Sequence, residues 1–114
     1  MLTMENWRDG LAAEFSHAES ARARGNEGQA RVCARRAAGI AIREYLARRG
    51  TRPSTASAYD LLNLLKDDPQ LSPDLKPILD HLTLRVTEEF KLPVQADLLV
   101  EARQLCAALL PDWV

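Results

Sequence analysis

Residues 27–49, EGQARVCARRAAGIAIREYLARR, form the longest uninterrupted helical pattern in the chain. As a helix this segment spans about 35 Å. Small and apolar side chains recur along it at three- and four-residue intervals, which places them on one broad face: Ala30, Cys33, Ala34, Ala37, Ala38, Ile40, Ala41, Tyr45 and Leu46. Because small side chains let neighbouring helices approach closely, we predict that this segment is the central helix of the fold.

Charged residues occupy the remaining arc of this helix. Its arginines lie opposite the apolar face on a helical wheel: Arg31, Arg35, Arg36, Arg43 and Arg49. Glu44 instead falls among the small apolar residues. Since an unpaired buried carboxylate is costly, we expect Glu44 to be either a carboxylate at the rim of the fold or a buried one with a partner.

The segment before the central helix has the same periodicity. Between residues 3 and 24, apolar side chains recur on one face: Met4, Trp7, Leu11, Phe15, Ala18 and Ala21. Gly25-Asn26-Glu27-Gly28 follows, and these residues include types that tolerate a left-handed backbone. We predict a first helix over residues 3–24 that lies antiparallel to the central one.

Three further helices are predicted after the central helix. A loop rich in helix breakers, residues 50–55, leads to a helix start at Ser57 and a short helix over residues 58–66. The next helix begins near Ser72-Pro73-Asp74 and extends to about Phe90, and the last spans residues 94–110. No segment alternates long enough to be a strand. Short connections between amphipathic helices predict an all-α, up-and-down bundle of about five helices, in one domain over residues 1–114.

Length and composition fit this expectation. The chain has 114 residues, of which 46% are hydrophobic and 27% charged, as in an ordinary globular domain. It lacks the run of about 18 apolar residues that a membrane span needs. The first residues are neither basic nor apolar enough for a signal peptide. We therefore expect a cytoplasmic protein without a membrane partner.

The two halves of the chain carry opposite charge. Residues 1–57 hold ten arginines against six acidic residues, whereas residues 58–114 hold five basic residues against ten acidic ones. The simplest interpretation is that the two layers pair with or solvate each other. Arginine is also the side chain best suited to bind phosphate, so ligand contact is the alternative interpretation.

Cysteine and histidine are too few and too scattered for a metal site. Cys33 and Cys106 lie on apolar helix faces, which predicts buried, reduced thiols. His17 and His81 are far apart in the sequence. We predict no metal and no cofactor. Trp113, which follows Pro111, must either fold back on the bundle or dock elsewhere, for example on a second copy of the chain.

Several patches together resemble the HEPN family, whose members are small helical bundles that often dimerise. The resemblance covers nearly the whole chain and rests on the order and spacing of the patches. They are Trp7 with Ala13, His17-Ala18 and the Gly25 turn, then Ala34 to Leu46, Tyr59 to Leu65, Leu82-Thr83-Leu84-Arg85, and Asp97-Leu98-Leu99 with Ala102. The resemblance implies a homodimer and, in some members, a partner of the nucleotidyltransferase type.

Catalytic members of the family are metal-independent RNA endonucleases that use an arginine followed, after four to six residues, by a histidine. Arg85 stands near the position of the arginine, but Glu89, Phe90, Lys91 and Leu92 follow it. The resemblance therefore implies a protein without this catalytic pair. An RNA endonuclease with a displaced pair is the alternative.

A second family pattern, found in members that accompany nucleotidyltransferases, has a glutamate in the middle of the second helix and a lysine four residues later. Gly39 and Arg43 stand at those positions here. Arg43 is basic, like the lysine of the pattern, whereas Gly39 has no acidic side chain. Arg36, Arg43 and Arg85 are thus our candidates for contact with a nucleotide or with RNA phosphate. The alternative is that they are solvated or pair with acidic residues.

Three hypotheses follow from the sequence. The first is a non-catalytic, dimeric binding module for a protein partner, with a nucleotide or RNA phosphate held near the three arginines. The second is the RNA endonuclease with a displaced catalytic pair. The third is a purely structural adaptor that binds a protein through the acidic half of the chain.

Overall fold

The computed structural model describes residues 6–84 and 95–113. Within these ranges the chain forms five α-helices: α1 (Trp7–Ala23), α2 (Glu27–Arg48), α3 (Ala58–Lys66), α4 (Lys76–Leu82) and α5 (Leu98–Leu109). Two short 3-10 helices, Pro73–Leu75 and Pro111–Trp113, precede α4 and follow α5. The fold is an all-α helical bundle, as the sequence predicts.

Helices α1 and α2 pack as an antiparallel pair. At one end of the pair Arg22 Nη2 lies 2.6 Å from Glu27 Oε2, and at the other the Arg48 guanidinium lies 5.3 Å from the Trp7 ring centre. Gly25 makes the turn between them with a φ of +78°, which only glycine adopts without strain. Asn26 then caps α2 by accepting a hydrogen bond from the Gln29 N–H.

Helix α5 runs in the same direction as α2. Its N-cap Asp97 binds Arg22 of α1, which also binds Glu27 at the start of α2. Cys106 approaches the carbonyl of Ala37, and Asp112 binds Arg48 at the end of α2. The segment that holds α3 and α4 therefore carries the chain back between the two ends of the bundle. This order places the loop after α2, the start of α1 and the C-terminal residues at the same end.

Small side chains allow the helices to pack closely around α2. Ala34, Ala37, Ala38 and Ala41 are fully buried, and α1, α3 and α5 all pack on α2. Ile42, which the predicted apolar face omits, is fully buried as well. Because neighbours surround α2 on several sides, its buried arc is wider than a single apolar stripe.

Some residues of the predicted apolar faces are only partly buried. Trp7, Ile40 and Tyr45 pack against the edge of the core instead of lying within it. Glu44 is a rim carboxylate whose side chain pairs with Arg48 at 2.9 Å, which is the first of the two expectations for this residue. The predicted inward face of α2 thus continues into a half-exposed edge beside the start of α1.

Helix α4 ends earlier than the sequence predicts. The prediction extends it to Phe90, but it ends at Leu82 with Thr83 as its C-terminal cap. Arg35 donates to the carbonyls of Leu82 at 2.8 Å and Leu84 at 3.0 Å, while Thr83 Oγ1 donates to the Leu79 carbonyl. These bonds satisfy carbonyl groups that a continuing helix would use, so the helix stops here. Residues 85–90 of the predicted helix lie outside the described residues.

Asp97 joins a helix cap to an ion pair. Its Oδ1 accepts from the N–H groups of Leu99 and Val100, and Arg22 donates to both carboxylate oxygens at 3.1 Å. The bonds from Arg22 oppose the effect of burial and lower the pKa of Asp97, and the N–H of Val100 lowers it further.

We expect Asp97→Ala to lower the free energy of unfolding by about 1–2 kcal/mol at pH 7, because the cap and the ion pair are both lost. Asp97→Asn keeps the cap and should cost less than about 1 kcal/mol. A carboxylate with a depressed pKa stabilises the fold above its unfolded pKa of about 4 and loses this contribution as the pH falls. Urea unfolding at pH 7 and pH 3 checks this: the difference between wild type and Asp97→Asn should be smaller at the lower pH, and a difference as large at pH 3 as at pH 7 would contradict the assignment.

None of the helices that the structure describes combines the length and the apolar character required to cross a membrane.

Candidate anion-binding groove

An open groove of about 980 Å³ lies at the end of the bundle where α1 begins and α2 ends. The start of α1 forms one wall, the C-terminal half of α2 forms the floor, and the loop after α2 forms the other wall. Its lining residues are Asn6, Trp7, Ile40, Arg43, Glu44, Ala47, Thr51, Arg52 and Pro53. The groove thus combines two arginines with an apolar and aromatic surface.

The two arginines in the groove have no carboxylate partner among residues 6–84 and 95–113. Arg43 is exposed on α2, and its Nη1 donates to the carbonyl of Thr55 at 3.3 Å. Arg52 is exposed in the loop. The carboxylate of the groove, Glu44, is bonded to Arg48. Arg43 and Arg52 therefore retain N–H donors for an anion.

Trp7 supplies the aromatic surface of the groove. Its side chain is half-buried, and two guanidinium groups lie against its ring: Arg8 at 4.5 Å and Arg48 at 5.3 Å from the ring centre. Guanidinium groups at this distance from an aromatic ring are attracted to its π-face. The tryptophan therefore holds two more cations beside the groove.

The C-terminal residues close over these two cations. Arg48 binds the Asp112 carboxylate through two hydrogen bonds, of 2.7 and 2.9 Å, and Arg8 donates to Asp112 Oδ2 at 3.0 Å. The bonds from Arg48 lower the pKa of Asp112 to about 2. Trp113 stacks on Phe15 with the ring centres 5.6 Å apart. Of the two expectations for Trp113, folding back on the bundle is the one observed.

The three predicted ligand residues lie in different places in the structure. Arg43 lines the groove. Arg36 is exposed on the same side of α2, seven residues or about 10 Å earlier, and is not part of the lining. Arg85 lies outside the described residues. The sequence prediction missed Arg52 and Trp7 as lining residues. The one available signal was the position of Arg52 in the loop that follows the arginine-rich helix.

Oppositely charged halves of the chain pair with each other, as the simpler interpretation of the charge pattern predicts. Arginines of residues 1–57 bind acidic residues of residues 58–114 in four cases: Arg8–Asp112, Arg22–Asp97, Arg48–Asp112 and Arg49–Asp68. Arg35 is half-buried and donates to backbone carbonyls. Burial lowers the pKa of Arg35, and the positive charge of Arg31 lowers it further. Five of the ten arginines of the first half thus hold other parts of the fold through these bonds. Arg43 and Arg52 differ in that they line the groove without a carboxylate partner among the described residues.

Gly39 stands on α2 where a larger side chain has no room. Helix α3 crosses α2 at this residue, so that a Cβ atom added to Gly39 would lie 3.0 Å from the Ala58 Cβ and 3.2 Å from the Ala58 Cα. The contact includes backbone, which cannot move aside as the end of a flexible side chain can. A glutamate side chain cannot be placed here in this packing.

Histidine and cysteine take no part in the groove. His81 Nδ1 lies 2.8 Å from Glu101 Oε1 between α4 and α5, and His17 is exposed on α1. Both cysteines are buried and unbonded to each other, as predicted. Burial raises the pKa of Cys106 to about 12, so this thiol stays protonated. Within the described parts of the chain, no three side chains of the metal-binding types come together.

Comparison of the chain with protein-family models, with curated proteins and with solved structures finds no match in any of the three. What the fold and the groove define is an all-α helical bundle with a basic and aromatic groove at one end.

Proposed function

We propose that this protein is a non-catalytic, HEPN-like binding module that holds a phosphate-bearing ligand, a nucleotide in the first instance, in the groove between Trp7 and Arg52. The observation that carries the proposal is the pair of arginines, Arg43 and Arg52, that line one groove without a carboxylate partner among the described residues. Two guanidinium groups from different elements, one on α2 and one in the loop after it, suit the several oxygens of a di- or triphosphate.

The apolar part of the groove supports a nucleotide over a bare phosphate ion. Ile40 and Trp7 are partly buried hydrophobic side chains that line the same groove as the arginines. A ligand with a planar ring and a charged tail would contact both kinds of surface at once. Arg36, about two turns along α2, extends the positive charge away from the groove in the direction that a longer RNA strand would follow.

Dimerisation and a protein partner belong to the same proposal. The HEPN resemblance implies a homodimer and a partner of the nucleotidyltransferase type. Exposed apolar side chains such as Val32, Leu64 and Val100 offer contact area outside the groove. Light scattering behind a sizing column measures the mass in solution, where we expect that of two chains. A monomer at all concentrations would remove the dimer from the proposal.

Calorimetric titration with ATP tests the proposed ligand class, and adenosine is the matched control because it keeps the ring and lacks the phosphates. We expect ATP to bind and adenosine to bind at least tenfold more weakly, since charge-assisted hydrogen bonds contribute about 1.5–3 kcal/mol each. Raising the salt concentration should weaken ATP binding. Equal affinity for both ligands, or no binding of either, would contradict the proposal. Labelled RNA incubated with the protein should remain intact, and cleavage would favour the endonuclease alternative.

A further inference from the structure

Two arginines beside the groove hold the Asp112 carboxylate. This carboxylate accepts two hydrogen bonds from Arg48 and one from Arg8, and the backbone carbonyl of Asp112 accepts another from Arg8 at 3.1 Å. This arrangement of two arginines around one carboxylate has the geometry with which proteins bind phosphate and carboxylate ligands.

This arrangement is physically continuous with the groove. Both guanidinium groups lie against the ring of Trp7, which is a lining residue. Arg48 also binds Glu44, another lining residue, at 2.9 Å. Arg8 and Arg48 therefore lie next to the groove, in contact with two of the residues that line it.

The contact is held in a way that permits release. The side chains of Arg8, Arg48 and Asp112 are 54%, 38% and 49% exposed, so water competes for each bond. Because all three groups are already partly hydrated, water replaces their bonds readily when the contact opens. Pro111–Trp113 is a single 3-10 turn after α5, and Trp113 anchors it by stacking on Phe15.

We propose that Asp112 is an internal competitor for the ligand: its carboxylate holds Arg8 and Arg48 in the free protein, and a phosphate of the bound nucleotide displaces it. The inference rests on the proposed function and describes how ligand binding in the groove is regulated. When Asp112 is displaced, Arg8 and Arg48 regain N–H donors for the phosphates of the ligand, beside the two arginines that line the groove. The C-terminal turn is thus an autoinhibitory strap whose release accompanies binding.

The test is Asp112→Asn, which keeps the size of the side chain and removes its charge. The matched control is Glu19→Gln, which removes one negative charge from an exposed pair with Arg103 and belongs neither to the groove lining nor to the Asp112 contact. We expect Asp112→Asn to bind ATP about threefold to fivefold more tightly than wild type, because the competing ion pair is weak. Glu19→Gln should bind as wild type does.

Each outcome of this titration decides one of the two proposals. If wild type binds ATP and Asp112→Asn binds it no more tightly than wild type or Glu19→Gln does, Asp112 is not a competitor. The groove is then still the ligand site. If Asp112→Asn binds and wild type does not, the competitor is confirmed in its strongest form. If neither binds, the groove does not hold nucleotide, and the strap fails with it.

Discussion

Gly39→Glu is expected to unfold the protein or to leave it marginally stable. A single small domain has a free energy of unfolding of about 5–15 kcal/mol. Gly39 is buried, and an added Cβ would lie 3.0 Å from the Ala58 side chain and 3.2 Å from its backbone. The substitution adds overpacking to the burial of an unpartnered charge, and together these cost more than about 4 kcal/mol. Circular dichroism during urea unfolding measures the loss.

Two smaller substitutions separate the causes of this effect. Gly39→Ala introduces only the Cβ, so that the clash with Ala58 works against the better helix propensity of alanine, and we expect a net loss of about 1 kcal/mol. Gly28→Ala is the matched control, since Gly28 is exposed in the first turn of α2 and the nearest atom to an added Cβ is 3.9 Å away. It should stabilise the protein by about 0.5–1 kcal/mol. A soluble, cooperatively folding Gly39→Glu variant would show that α3 does not cross α2 here.

The helices could be predicted from the sequence because each depends on local patterns. The end of α1 follows from Gly25, whose φ of +78° makes the turn, and the start of α3 follows from Ser57, which caps it by accepting from the Asp60 N–H. The end of α4 could not be predicted, because the group that takes its carbonyls is Arg35, 47 residues away from Leu82 in the chain. Interactions over such distances leave no periodic signal in a sequence.

The groove was predictable only in part, for the same reason. The helical wheel placed Arg43 on an exposed face, and the structure confirms that position. The wheel could not tell which arginines find carboxylates elsewhere in the fold, as Arg48 and Arg49 do. Nor could it place Arg52 or Trp7, because a groove between two helices and a loop exists only after packing. The charge pattern predicted that the two halves pair with each other. It did not predict which of the described arginines are left without a carboxylate partner.

Charge reversal of both groove arginines, Arg43→Glu with Arg52→Glu, is expected to weaken ATP binding at least a hundredfold. Each substitution removes a donor that can form charge-assisted hydrogen bonds of about 1.5–3 kcal/mol and places a negative charge beside the phosphates. Two such losses correspond to a hundredfold or more, since about 1.4 kcal/mol is a factor of ten in affinity. Both residues are exposed, so the stability of the fold should change by less than about 1 kcal/mol.

The control for this variant must carry the same change in net charge at a distance from the groove. Arg24→Glu with Lys76→Glu satisfies this, because both residues are exposed and neither lines the groove. Long-range attraction between exposed charges is screened over about 8 Å at physiological salt, so the control should lose less than about tenfold. A groove variant within threefold of wild type would exclude the groove as the ligand site. A control that loses as much as the groove variant would show that the overall charge of the protein, and not two positioned guanidinium groups, attracts the nucleotide.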